Sequence, residues 1–297
     1  MSIIISKKRS YRRLLWSASQ DRKLCSIFSM YPPKELEKIF GLEYEQLRSR
    51  ARTLGLKSKK VIKRELINHK FFSHMTILSS YWAGFLTADG YLQQDKLWIG
   101  LSEKDKLHLK RFASLLGVSD SIRTYNSKAG MNGVTQGKEY VRVVLKISSI
   151  ELMNDLHKNF NVVTKKSLRI PSSNVCGRYG EAFLAGLIDG DGFIGPDRIG
   201  NIRFGYVGSK RLCRWGAIYI NQLLIQLGRR PTIVERETRK GLWEMRCTGK
   251  NAQIVLNRLK MTCGEYVLLR KWKMLEKFNR EKEWMKGDRT LAREGVG

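Results

Sequence analysis

The stretch Phe183-Leu-Ala-Gly-Leu-Ile-Asp-Gly-Asp-Gly-Phe-Ile194 decides how the chain is read. It opens as an apolar helix of small and branched residues. It ends with two carboxylates, Asp189 and Asp191, set among glycines before a strand-like run. Gly186 and Gly190 are four apart, so they share one helix face and leave it without side chains. Two helices can meet across such a face more closely than the usual ~8–10 Å between axes. About one hundred residues earlier, Trp82-Ala-Gly-Phe-Leu-Thr-Ala-Asp-Gly90 repeats the design, with Gly84 and Ala88 as the small pair and Asp89 as the terminal acid. If the two helices pack face to face, Asp89 and Asp191 meet at one spot.

The remaining pattern repeats with the motifs. After the Trp82 helix, strands are predicted near Lys96–Leu101, Ser121–Asn126 and Glu139–Ile147, with helices over Asp105–Leu116 and Ile150–Phe160. After the Phe183 helix, strands are predicted at Asn201–Val207, Thr232–Glu237 and Leu242–Thr248, with helices over Arg211–Leu227 and Asn251–Leu259. Counting the short strand after each motif, the chain predicts an α+β fold of two pseudo-symmetric αββαββα half-domains, residues 78–170 and 171–297. The second half closes on a helix within Glu265–Met285.

Period-two alternation shows which sheet face is wet. Val143, Leu145 and Ile147 point one way while Tyr140, Arg142 and Lys146 point the other. Arg123 and Tyr125, Asn201 and Arg203, and Arg246 fall on the equivalent face, with Lys96 at the start of its strand. Arginines recurring on one face of several strands point to DNA contact, because a guanidinium pairs bidentately with guanine in the major groove.

Composition agrees. The 297 residues carry 56 Lys+Arg against 27 Asp+Glu, a formal charge of +29 spread along the whole length. That excess calls for a polyanionic partner, nucleic acid first. The five cysteines are odd in number and lack a CxxC pair, so they predict reduced thiols rather than a zinc site or a disulfide framework. The four histidines lack metal-ligand spacing. The apolar start is too short for a signal peptide, and no run approaches the ~20 apolar residues of a membrane span. The expectation is a soluble intracellular protein of the host cytoplasm, nucleoid or an organelle, with no membrane partner.

Residues 1–60 read as a separate unit of three helices. Tyr31-Pro32-Pro33 stops the first helix, Gly41 supplies the second turn and Gly55 closes the third helix. The third helix carries Arg48, Arg50 and Arg52, followed by Lys57, Lys59 and Lys60. The pattern resembles Myb-like and related helix-turn-helix modules, whose last helix enters the major groove. Residues 61–77 read as a basic linker, or as an arm lying along phosphates.

Leu184-Ala-Gly-Leu-Ile-Asp-Gly-Asp-Gly192 departs from the LAGLIDADG signature only at Gly190, where that signature has alanine. The two motifs resemble those of single-chain, two-motif LAGLIDADG homing endonucleases, over roughly residues 78–285. The resemblance implies a monomer that cuts both strands of double-stranded DNA, with each sheet forming half of a saddle. It implies that Asp89 and Asp191 hold catalytic divalent cations, normally magnesium with manganese as a substitute, helped by the carbonyls of Ala88 and Gly190. It also implies basic residues near the scissile phosphates: Lys165 or Lys166 in the first half and Lys260, or less well Lys271, in the second. Thr87 stands where the signature has an acid, and its effect is expected on helix-end hydrogen bonding. If Asp189 acts chemically, the halves are unequal and nicking can exceed double-strand cleavage. The alternatives are a cleavage-inactive DNA-binding regulator of the same descent and an RNA splicing maturase.

Overall fold

The computed structural model describes residues 15–58, 65–128, 139–163, 173–231, 233–239 and 241–280. The chain divides into two compact units, Met1–Ile67 and Asn68–Gly297.

The first unit contains helices Ala18–Ile27, Pro33–Phe40 and Tyr44–Thr53. The first starts where Ser17 and Gln20 form a reciprocal capping box. Pro33 opens the second, and Gly41 ends it at φ 64°, a left-handed conformation that costs glycine least. Leu24, Phe28, Leu36, Leu47 and Ala51 form its core.

The second unit starts within the expected linker. Phe72 is fully buried and packs edge-on to Phe71 and Phe160, while Asn68 donates to the Leu116 carbonyl. Reading 61–77 as a phosphate-lying arm is therefore corrected from residue 68 onward. Two adjacent aromatics, Phe71-Phe72, recover more free energy in the core than in water.

Two four-stranded antiparallel sheets follow. The first holds β1 (Tyr91–Leu92), β2 (Lys96–Ser102), β3 (Arg123–Lys128) and β4 (Glu139–Ser148) in the order β1-β2-β4-β3. The second holds β5 (Phe193–Pro196), β6 (Ile202–Gly208), β7 (Val234–Arg239) and β8 (Leu242–Thr248) in the order β5-β6-β8-β7. Helices Lys106–Leu115 and Ile150–Phe160 complete the first half; Lys210–Gln226 and Gly249–Cys263 complete the second. A last helical stretch occupies 269–280. The order αββαββα thus occurs twice.

The motif helices, Ile77–Asp89 and Gly177–Gly190, make the most extensive helix–helix contact of the unit. A Cβ on Gly84 would overlap the Phe183 carbonyl, and one on Gly186 would overlap the Tyr81 carbonyl. The seam is therefore backbone against backbone, as the small-residue face required. Tyr81, Trp82, Phe85, Phe183, Leu184 and Ile188 are buried around it. Each apolar side chain of this kind contributes roughly 1.5–3 kcal/mol through burial.

Candidate functional site

The seam delivers its two helix ends to one place. Gly190 faces Ala88 so closely that a Cβ on the glycine would overlap the alanine methyl, and it would lie 3.4 Å from the Asp89 amide nitrogen. Beside this contact Asp89 and Asp191 are both exposed, although Thr87 and Asp189, two residues before each, are buried. A carboxylate at a helix C-terminus adds to the negative end of the helix dipole, so both acids stand where a cation is favoured.

One cation is built in. Lys271 Nζ donates to the carbonyls of Ile188 (2.9 Å), Asp189 (2.8 Å), Gly190 (2.8 Å) and Gly192 (2.7 Å). The carbonyls of Ile188, Asp189 and Gly190 are acceptors that the helix end leaves without partners, and that of Gly192 lies just past the cap. Burial pulls the Lys271 amine below its ordinary value, opposed by the charges of Asp189, Asp89 and Asp191. The Gly190 carbonyl, expected as a metal ligand, thus already accepts an ammonium. Lys260, expected as the basic residue of this half, lies 3.9 Å from Glu276 instead, and Lys271 is the lysine that reaches the motif. Lys165 and Lys166 lie outside the described residues.

Asp189 has a different environment from Asp191. It is buried, and its carboxylate accepts from Tyr81 Oη, the Leu268 amide and Trp272 Nε1, each at 2.7 Å. Burial raises its pKa to about 6, against the pull of these three donors. Tyr81 also meets His108 Nε2 at 2.9 Å, and burial lowers His108 to about 4. In the first motif, Thr87 is equally buried and donates to the Ala83 carbonyl of its own helix at 2.8 Å.

Asp89 opens onto the wet face of the first sheet, in a cleft of ≈ 200 Å³ shared with Tyr91, Trp98, Gly100 and Arg142. Lys146 Nζ lies 3.7 Å from the Trp98 ring centroid, and Tyr91 packs edge-on to the same ring. Lys96, Arg123, Tyr125, Arg142 and Lys146 are exposed on this sheet. On the second sheet Arg203 and Arg246 lie 5.4 Å and 5.9 Å from the Phe193 ring centroid. Asn201 precedes β6 in a turn held by Asp197 Oδ1. Sequence reasoning does not single out Tyr91, Trp98 and Phe193. Trp98 ladders directly to Lys146, while Tyr91 and Phe193 reach Lys146 and Arg246 only one strand further on, a register that no local spacing records.

In the first unit Arg48 is exposed, pairing with Glu45 at 3.2 Å, and Arg52 is exposed on the same helix. Arg50 is not available in that way. Its guanidinium grips Asp21 of the first helix, with Nε to Oδ1 at 2.8 Å and a second contact from Nη2 to Oδ2. The Arg50 hydrogen bond holds the Asp21 carboxyl below its ordinary range. Lys59 and Lys60 lie outside the described residues.

Among the described residues, no three His, Cys, Asp or Glu side chains gather as a metal cluster. The donors at the seam are two carboxylates. That set suits a hard divalent cation such as magnesium, which keeps most of its ligands from water and substrate phosphate.

No protein-family model matches the chain, and no curated protein matches it. Among solved structures it is similar to the LAGLIDADG meganuclease I-CpaMI bound to uncleaved DNA, at 16% identity and a TM-score of 0.45, over 73% of this chain and 94% of that one. It is also similar to the LAGLIDADG meganuclease I-AabMI bound to uncleaved DNA, at 12% identity and a TM-score of 0.41, over 70% and 91%. A third is the homing endonuclease I-WcaI bound to its DNA recognition sequence, at 13% and 0.43, over 68% and 87%. No helix among the described residues is long and apolar enough to cross a membrane.

Proposed function

We propose that this chain is a site-specific endonuclease of the LAGLIDADG homing type, acting on double-stranded DNA as a monomer. One observation carries the reading: two exposed acids, Asp89 and Asp191, at the touching ends of two helices packed backbone to backbone. One acid per half-domain suits a substrate with one scissile phosphate on each strand. The sheet faces beside them carry Arg, Lys and aromatic groups, and the charge of +29 suits a long polyanion.

Asp89 and Asp191 would hold magnesium, or manganese in its place, which when bound supplies neutralising charge at the phosphates and acidifies a water. Lys271 fixes the end of the second motif helix and so the position of Asp191. Lys146, Arg142, Arg123, Arg203 and Arg246 bind backbone and base edges, with phosphate contacts setting register and base contacts setting sequence. The three-helix unit, through Arg48 and Arg52, would extend the contact along one flank. That role is the one a Myb-like helix-turn-helix module would play.

The test is cleavage of a randomised plasmid library with Mg²⁺ by the wild type, Asp89→Asn and Asp191→Asn. Sequence-specific double-strand breaks by the wild type, reduced by about 10³ or more in each variant, are the expected result. Tight, selective binding without any cutting by the wild type would overturn the nuclease reading in favour of a DNA-binding regulator.

A further inference from the structure

The two sheets can be aligned through their ladders. Trp98 pairs with Lys146 as Gly205 pairs with Arg246, and Lys96 pairs with Ser148 as Arg203 pairs with Thr248. Val144, two residues before Lys146, therefore corresponds to Glu244, two before Arg246. Arg123 opposes Val144 on β3, and Arg236 opposes Glu244 on β7. At one register position the first sheet thus has valine where the second has a carboxylate.

That carboxylate lies on the wet face yet is only 6% exposed, because two guanidiniums cover it. Arg236 Nε donates to Glu244 Oε2 at 3.1 Å; Arg246 donates to Oε1 from Nε at 3.2 Å and Nη2 at 2.6 Å. Burial acts to raise the Glu244 carboxyl, but the Arg246 and Arg236 hydrogen bonds prevail and hold it below its ordinary range. A guanidinium has five N–H donors in a fixed planar fork. Held through Nε and Nη2, Arg246 has its plane set and keeps Nη1 and the second Nη2 hydrogen for a partner; Arg236, held through Nε alone, keeps both Nη groups. Arg246 is further braced against Phe193, and Arg236 keeps 58% of its side-chain surface exposed. One negative charge among Arg203, Arg236 and Arg246 leaves the patch positive, so its partner remains anionic.

A fixed plane with a free terminal fork matches a guanine edge, whose O6 and N7 accept two parallel donors. A phosphate also accepts such a fork, but a mobile cation serves it equally; the fixed plane adds most where two acceptors are themselves held in one plane, as on guanine. We infer that Glu244, Arg236 and Arg246 form a base-reading site for guanines on the second sheet, with Glu244 as the specificity-determining template. The first sheet has no carboxylate at the matching position, so Arg123 and Lys146 would supply backbone affinity with weaker base preference. This rests on the DNA-binding reading above.

Selection of bound duplexes from a randomised library tests it, using the wild type, Glu244→Gln, Arg246→Lys and the first-sheet variant Lys146→Ala. The expected result is guanine enrichment at up to two positions that falls about tenfold or more in Glu244→Gln. Arg246→Lys, at a more exposed residue, keeps the charge and loses the fork; it should relax a position within the same set. Those positions should differ from any that respond to Lys146→Ala. Binding to random-sequence duplex should not weaken in Glu244→Gln, since a negative charge has been removed. Should Glu244→Gln fail to fold, Arg246→Lys alone decides. A wild-type-like preference profile in the variants, or an even loss across the whole site, overturns the inference. Selective binding by the wild type without guanine at those positions overturns it while leaving the endonuclease reading intact. A wild type that enriches no duplex overturns both.

Discussion

The two motif helices share one seam and end in different surroundings. At the end of the first, Thr87 turns its hydroxyl back onto its own helix at Ala83. At the end of the second, Asp189 gathers donors from Tyr81 of the opposite helix, from Leu268 and from Trp272. Lys271 covers the carbonyls beyond it. The segment after Gly264 also reaches the first half, where Arg270 pairs with Asp105 at 3.0 Å and Arg111 donates to the Glu265 carbonyl at 2.5 Å. Two acids separated by one residue in sequence therefore do different work. Asp189, with its oxygens committed to three buried donors, fastens the C-terminal segment to the seam. Asp191 faces solvent.

The largest effect should come from the feature the helices share. Gly186→Val puts a branched side chain into the Tyr81 carbonyl, a clash between two backbones that cannot yield separately. A loss of at least about 4 kcal/mol is expected, read as loss of the cooperative unfolding transition. A near-wild-type melt would show that the seam is looser than described.

Lys271→Met comes next and separates the two ends. It removes one ammonium from four carbonyls and should cost about 2–4 kcal/mol in denaturant titrations. Proteolysis should then release the C-terminal segment before the rest of the unit. On the endonuclease proposal, cleavage of the strand assigned to Asp191 should fall more than cleavage of the strand assigned to Asp89. Equal losses on both strands would remove the special role given to this end.

The third contrast is in pH. The Asp189 pKa rises from 3.8 to about 6 through burial, so folding favours its protonated form. The stability this confers is complete below about pH 4 and is lost as the pH rises through about 6. Wild-type stability minus that of Asp189→Asn should therefore decline across that window by up to about 3 kcal/mol. A difference that does not change between pH 4 and 7 would contradict the assignment.

The smallest effect probes Ala88 against Gly190, one methyl shared between two helices. Gly190→Ala should destabilise by about 2 kcal/mol, although it restores the commoner residue of the motif. Adding Ala88→Gly moves the methyl to the other helix and should recover most of the loss, a coupling of about 1–2 kcal/mol. Additive effects would mean that the two positions do not touch.

Much of this is legible in the chain itself, for local reasons. Gly84, Ala88, Gly186 and Gly190 mark the seam because helical spacing alone puts them on one face. Arg142 and Lys146 mark the wet side because strand periodicity alone separates them from Val143 and Leu145. Arg50 misleads for the complementary reason. It sits between Arg48 and Arg52 on a basic helix, and only its approach to Asp21, far away in sequence, removes it from the exposed set. Phe71 and Phe72, hidden in a basic stretch, are lost to the same averaging over local composition.

The sequence by itself determined the two αββαββα repeats, the glycine seam and the exposed acids Asp89 and Asp191, since each follows from the period of a single element. Only the tertiary structure decided that Lys271 rather than Lys260 reaches the motif, that Asp189 is a fastening, and that Glu244 sits between two arginines. Those depend on which segments meet after folding. Burial and hydrogen-bond satisfaction settle them across dozens of residues, and no local spacing records the outcome.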